Sequence, residues 1–97
     1  PRAARMRITF EPAARAELEH IYEWIKKDNP RAAYTMVARI KARVGLLMTS
    51  GLAYMGRPGL DPGTNELLEY PYIIVYEVHE QRDEIVVLSI VHGAQDR

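Results

Sequence analysis

The last quarter of the chain is its most apolar part, and a short polar break divides it. Residues 72–79 (YIIVYEVH) and 84–92 (EIVVLSIVH) are rich in β-branched and aromatic side chains, and the polar residues 80–83 separate them. This pattern predicts an antiparallel β-hairpin. The second run is apolar on both faces, which predicts a central strand covered by helices on one side. In the first run, one face carries Tyr72, Ile74, Tyr76 and Val78.

Two helical periodicities precede this hairpin. Apolar residues recur at spacings of four and three, as expected for one face of a helix. The first stripe is Ala14, Leu18, Ile21 and Ile25, and the second is Ala33, Val37, Ile40, Val44 and Leu47. Pro12 and Pro30 suit the first helical positions, and Asn29 suits an N-cap. Because only about two residues separate the helices, they must form an αα-hairpin.

The remaining segments complete an α+β order. Residues 6–10 (MRITF) and 64–70 (TNELLEY) predict strands, and the Gly- and Pro-rich residues 51–63 predict a loop without regular structure. This loop is either functional or a plain crossover. The order β-α-α-β-β-β predicts a helical hairpin packed on one face of a small antiparallel sheet. We expect one domain over 6–97, with residues 1–5 upstream of it.

Composition narrows the class of protein. Ninety-seven residues, 47% of them hydrophobic, suffice for one core. Without cysteine, disulfides and thiolate chemistry are absent. No apolar run approaches the roughly 20 residues that span a bilayer, and residues 1–5 lack a signal-peptide pattern. We therefore expect a cytoplasmic protein without a membrane partner.

Charge divides the chain into a basic and an acidic half. Residues 1–50 hold ten Lys/Arg against five Asp/Glu, whereas residues 51–97 hold three against eight. Three of the basic residues, Arg39, Lys41 and Arg43, fall on the second helix. They form either an ordinary solvated face or a docking surface for an acidic partner.

Few residues could support catalysis. His20, His79 and His92 lack metal-ligand spacing, so neither a metal nor another cofactor is expected. General acid–base cleavage of RNA could use His92, Tyr72 and Arg57 if they met at one edge of the sheet. The acidic half would repel RNA, since phosphate contacts need Lys and Arg. Direct nucleic-acid binding is therefore not expected.

Several short motifs occur together in a specific order. They are PAARAELEHIYEWI at 12–25, Asn29-Pro30, Gly56-Arg57-Pro58-Gly59, Asn65-Glu66-Leu67, YPYIIVY at 70–76 and VHGAQD at 91–96. On these residues the chain resembles the ParE/RelE superfamily of toxins from type II toxin–antitoxin systems, most closely the ParE branch. The resemblance implies two antiparallel helices on an antiparallel sheet. It also implies a small antitoxin whose C-terminal segment covers the toxin.

The resemblance leaves two toxic activities to weigh. RelE-like members cleave mRNA on the ribosome, and ParE-like members typically poison DNA gyrase without nuclease activity. At positions approximately matching the RelE basic set, this chain has Thr64, Glu66, Ile73, His92 and Gly93. Only His92 among them is a plausible catalytic side chain. The resemblance therefore favours a gyrase inhibitor, and Asn65 stands where many ParE relatives have Arg.

The predicted sites follow from this choice. For the ParD-like antitoxin, in a hetero-oligomeric complex, the predicted contacts are Leu18, Tyr22, Arg39, Lys41 and Arg43. For DNA gyrase, the predicted contacts are Arg57, His92, Gln95, Asp96 and Arg97. The alternatives are a ribosome-dependent mRNA endonuclease that uses His92, Tyr72 and Arg57, and a binding module without toxicity.

Overall fold

The computed structural model describes residues 6–49 and 51–93. Two helices and five strands follow one another along the chain. They are β1 (Arg7–Phe10), α1 (Pro12–Lys26), α2 (Pro30–Gly45), β2 (Arg57–Pro58), β3 (Asn65–Glu69), β4 (Tyr72–His79) and β5 (Glu84–His92). Short 3₁₀ turns follow α2 at Leu46–Met48 and join β4 to β5 at Glu80–Arg82. The α+β class and the helical hairpin are confirmed.

Local chemistry explains where the helices begin. Pro12 and Pro30 occupy the first positions of α1 and α2, where a missing N–H costs no hydrogen bond. The side chain of Asn29 accepts a hydrogen bond from the backbone N–H of Ala32 at 3.1 Å, as expected of an N-cap. Both predicted stripes face the core, although Leu47 belongs to the 3₁₀ turn after α2.

The sheet is mixed, and the prediction of a purely antiparallel sheet is wrong. Its strand order is β1-β5-β4-β3-β2, and β1 runs parallel to β5 from Arg7 opposite Glu84 to Phe10 opposite Val87. The other neighbours pair in antiparallel fashion. The parallel pair is possible because β1 and β5 are joined by a long connection through both helices and the three strands β2, β3 and β4. The central position predicted for β5 is confirmed.

The loop over residues 51–63 contains the short strand β2, which the sequence did not indicate. Arg57 pairs with Glu66 and Pro58 with Asn65 on β3. Pro58 is tolerated because β2 lies at the edge of the sheet, where its missing N–H faces no neighbour. Gly56 allows this approach: a Cβ added there would lie 2.5 Å from the Glu66 carbonyl oxygen. The loop is therefore joined to the edge of the sheet by the pairing of β2 with β3.

The helices cover one face of the sheet, and the core lies between them. From the sheet, Tyr72, Ile74, Tyr76, Ile85, Val87 and Ile90 enter the core. The register between β4 and β5 shifts at one point. Val75 lies opposite Ser89, whereas the next residue, Tyr76, lies opposite Val87. Leu88 is therefore an extra residue, a β-bulge that keeps Ile90 on the core side.

Candidate functional site

A groove opens between the edge strand β1 and both helices. Its volume is about 900 Å³. We call it the β1 groove, and its lining residues are Ile8, Thr9, Phe10, Arg15, Leu18, Glu19, Tyr22, Glu23, Val37 and Lys41. Among the described strands, none pairs with the outer edge of β1. The groove therefore combines an apolar floor with a free strand edge, and it brings together the predicted residues Leu18, Tyr22 and Lys41.

The three basic residues predicted on α2 do not form one surface. Lys41 lines the β1 groove, whereas Arg39 and Arg43 reach the buried Glu69 on β3, on the opposite flank of the helix. Arg39 Nη2 lies 2.8 Å from Glu69 Oε2, and Arg43 Nε lies 3.2 Å from Glu69 Oε1. These two arginines thus tie α2 to the sheet.

A second groove, of about 780 Å³, lies along the other flank of α1. We call it the β5 groove, and its lining residues are Ala16, Glu17, His20, Ile21, Trp24, Tyr72, Ile90, Val91 and His92. Tyr72 and His92 face each other in cross-strand register, with ring centroids 5.4 Å apart and planes at 79°. Burial raises the pKa of the Tyr72 phenol, which is therefore a protonated donor at neutral pH.

Arg57 does not join Tyr72 and His92. It lies on β2, three strands from β5, which is roughly 14 Å at the usual strand spacing. Its guanidinium pairs at 3.2 Å with Glu66. Glu66 alternates with Leu67, which enters the helix-covered core, so Glu66 and Arg57 belong to the opposite sheet face. The constellation imagined for RNA cleavage is therefore not assembled.

On the face without helices, carboxylates accompany the cationic groups. Arg57 pairs with Glu66, and Arg82 pairs with Glu84 at 3.1 Å. His79 Nε2 also lies 2.9 Å from Glu77 Oε1. Glu84 also accepts a hydrogen bond from Thr9 Oγ1 at 2.6 Å. That bond, with help from Arg82, lowers the pKa of the Glu84 carboxyl. A face whose cations are neutralised in this way attracts polyanions weakly.

Some predicted residues lie outside the described part of the chain, and the sequence analysis missed others. Gln95, Asp96 and Arg97 fall beyond residue 93, so their predicted role stays a prediction. Glu17 and Trp24 were not singled out, although both line the β5 groove. Their spacing of seven residues on one helix face was the available signal.

Two further classes of site are not supported by the described residues. Within 6–49 and 51–93, no three His, Asp or Glu side chains group as a metal ion would require. In the same residues, no helix is long and apolar enough to cross a membrane.

Comparison of the fold with solved structures indicates the class of protein. The fold matches that of solved toxins from toxin–antitoxin systems. The isolated E. coli RelE toxin is 16% identical, with a TM-score of 0.60 over 95% of this chain and 88% of that one. A chain of the chromosomal ParDE system from P. aeruginosa is 29% identical, with a TM-score of 0.78 over 92% of this chain and 97% of that one.

The family is then fixed by sequence. Residues 8–97 match the family described as the ParE toxin of the type II toxin–antitoxin system parDE. The protein Y4kP of Sinorhizobium fredii (strain NBRC 101917 / NGR234), a candidate toxin by its name, is 35% identical over 94 residues. That match covers 95% of this chain and 93% of Y4kP. The chain belongs to the ParE toxin family.

Proposed function

We propose that this ParE-family toxin acts by binding DNA gyrase, without cleaving nucleic acid, and that a ParD-like antitoxin neutralises it in a hetero-oligomeric complex. The observation that carries the proposal is the separation of Arg57 from Tyr72 and His92. An RNA-cleaving site needs a general acid or base and cations that stabilise the developing phosphate charge at one place. The protein supplies Tyr72 and His92 on one face and Arg57 on the other.

The paired charges of the helix-free face support the same proposal. Arg57, Arg82 and His79 each contact a carboxylate there. Binding RNA would require breaking these pairs or bringing phosphates beside acidic groups. A protein target imposes no such requirement, because protein interfaces accommodate paired charges at their rims.

The β1 groove suits the antitoxin. Its apolar floor fits one face of an amphipathic helix, and the free edge of β1 can pair with an extended segment. Arg15 and Lys41 at the groove would favour acidic antitoxin side chains. Arg39 and Arg43 are engaged with Glu69, so Leu18, Tyr22 and Lys41 carry more of the predicted contact.

The antitoxin site is tested by substitutions at the exposed end of the groove. Tyr22→Ala and Lys41→Glu are expected to weaken antitoxin binding at least tenfold, since they remove an aromatic contact and reverse a charge. Tyr34→Ala, at an exposed tyrosine outside the groove lining on α2, is the matched control. Equal affinities for all three, measured by calorimetry, would place the antitoxin elsewhere.

The mode of toxicity is tested in cells. Expression should arrest growth and produce gyrase-dependent DNA breaks, and a gyrase-inhibitor reporter strain measures these breaks. Primer extension on translated messages should show no new cuts. Codon-specific cuts that disappear in a His92→Ala variant would instead establish the endonuclease alternative.

A further inference from the structure

The β5 groove holds a half-buried carboxylate that has no counter-ion in the described part of the chain. Glu17 is the acidic residue of its lining, and the lining as described includes neither Lys nor Arg. No ion pair joins Glu17 to another described residue. By contrast, each of the carboxylates Glu66, Glu69 and Glu84 pairs with an arginine. Because a partly desolvated charge is stabilised by an opposite charge, Glu17 favours a cationic partner.

A backbone hydrogen bond fixes the position of this carboxylate. Its Oε1 accepts the Ile90 N–H at 2.7 Å. That N–H is available because β1 ends opposite Val87, so the later residues of β5 lack a strand neighbour on that side. The second carboxylate oxygen, Oε2, can accept from an incoming donor. Since the Ile90 N–H is occupied, a partner cannot add a β-strand at this point and must be recognised by its side chains.

Aromatic rings form much of the remaining surface. Trp24, Tyr72 and His92 line the groove, and the indole of Trp24 is 62% exposed. Lys27 Nζ lies 5.2 Å from the centre of the Trp24 ring, so this ring already contacts a cation of its own chain. Among cationic side chains, arginine has the planar group that stacks on aromatic rings and matches a carboxylate with paired N–H donors. The groove therefore suits an arginine best.

The spacing of Glu17 and Trp24 sets the length of the segment that would contact both. They are seven residues apart on α1, which is roughly 10 Å at the helical rise. An extended chain spans that distance in about three residues. A segment whose arginine pairs with Glu17 can therefore place an apolar side chain over Trp24. Tryptophans that become buried in a complex are frequent centres of binding energy.

We propose that the β5 groove binds a segment of a partner protein in which an arginine and an apolar residue stand about three positions apart. The guanidinium pairs with Glu17, and the apolar side chain covers Trp24. This inference goes beyond the proposed function and does not require that gyrase supplies the segment.

The experiment follows the fluorescence of the toxin during titration with short peptides. Trp24 is the only tryptophan in the chain, so its emission reports directly on the β5 groove. Acetyl-Arg-Ala-Ala-Leu amide should shift the emission to shorter wavelength, with a dissociation constant of about 1–10 mM for so small a contact. The citrulline analogue keeps the shape of arginine without its charge and should bind roughly three- to tenfold more weakly.

Two toxin variants test the role of the carboxylate. Glu17→Gln removes the charge but keeps an oxygen that can accept the Ile90 N–H. In this variant the arginine and citrulline peptides should bind within about twofold of each other. Glu23→Gln is the matched control, because Glu23 is exposed on the same helix and lines the β1 groove. This control should retain the preference for arginine.

A third ligand separates a protein segment from a small cation. Acetylarginine amide lacks the apolar residue and should bind at least about fivefold more weakly than the arginine peptide. If it binds as tightly as the peptide, the groove is a site for small cations and the inference is overturned.

Three other results would also overturn the inference. The first is equal binding of the arginine and citrulline peptides to the parent toxin. The second is a preference for arginine that persists in Glu17→Gln. The third is an emission that shows no saturable shift up to about 50 mM peptide. None of these results bears on gyrase as the target, which the supercoiling activity of gyrase tests separately.

Discussion

A single buried polar side chain holds the loop before β2 in place. Tyr76 is fully buried, and its hydroxyl joins β4 to the loop before β2 through Ala53 and Gly56. That loop carries Arg57 to its ion pair with Glu66. The position of Arg57 therefore depends on a phenol in the core.

A Tyr76→Phe variant tests this dependence. The change keeps the ring but leaves a carbonyl and an N–H without their partner, which costs about 1–3 kcal/mol of unfolding free energy. Tyr70→Phe, at a tyrosine that is 78% exposed, should change stability by less than about 0.5 kcal/mol. Urea denaturation compares the two, and equal stabilities would contradict the role of the hydroxyl.

Glu69 offers a second test at the residue scale. Glu69→Gln removes the charge that holds Arg39 and Arg43, while it preserves the shape of the side chain. Because both arginines are partly exposed to water, the expected loss is about 1–2 kcal/mol. The exposed Glu19→Gln is the control and should be nearly neutral. A Glu69→Gln variant as stable as this control would show that the two ion pairs contribute little.

These contacts also show what residue patterns can and cannot predict. The helical stripes followed from periodicity alone, because side-chain direction is fixed by backbone geometry. The partners of Arg39 and Arg57 did not, since each ion pair depends on which strands become neighbours. A basic residue on a helix surface therefore suggested docking where the fold uses it for packing.

At the scale of elements, β1 is held to β5 by both backbone and side chains. Besides the parallel ladder, Thr9 Oγ1 donates to Glu84 Oε2, and this bond contributes most to lowering the pKa of the Glu84 carboxyl. A lowered pKa in the folded state means that the ionised form stabilises the fold. This contribution is present above the unfolded pKa and is lost as the pH falls through the folded pKa.

Thr9→Val removes the donor and keeps the shape. The pKa of Glu84 should rise toward its ordinary value of 4.5. Protonation of this carboxyl in acid should then destabilise the variant less than it destabilises the parent. Carboxyl titration by NMR measures the pKa directly. Thr35→Val, on the exposed side of α2, should leave it unchanged, and a Glu84 pKa that is the same in both variants would contradict the account.

Two glycines, Gly56 before β2 and Gly45 at the end of α2, provide a second prediction at the scale of elements. In Gly56→Ala, the new Cβ would lie 2.9 Å from the Tyr76 hydroxyl and closer still to the Glu66 carbonyl, so we expect a loss of about 1–3 kcal/mol. Gly45 ends α2 with no atom within 4 Å of an added Cβ. Gly45→Ala should therefore gain roughly 0.5–1 kcal/mol. Thermal unfolding compares the two, and a stabilised Gly56→Ala would contradict the close approach.

Element order was predictable, but sheet topology was only partly so. The hairpin β4–β5 and the helical hairpin rest on local signals, and both were confirmed. The parallel β1–β5 pair and the two-residue β2 rest on contacts between distant residues. Strand pairing of this kind depends on the whole fold, and a run such as Arg57–Pro58 carries no periodicity.

Across the whole molecule, α1 divides two grooves that differ in chemistry. The β1 groove has an apolar floor, basic side chains and a free strand edge, and it suits a wrapping antitoxin. The β5 groove is lined by the aromatic rings of Trp24, Tyr72 and His92. On the helix-free face, Arg57 and Arg82 pair with carboxylates. This division supports the proposal that the toxin works by binding.

The most direct test of this account is an ATP-dependent supercoiling assay with purified gyrase and toxin. The account predicts inhibition that rises with toxin concentration, trapping of cleaved DNA, and full relief when antitoxin is added in equimolar amount. RNA incubated in the same mixtures should remain intact. Undiminished supercoiling at saturating toxin, with the growth arrest of expressing cells unchanged, would contradict gyrase as the target.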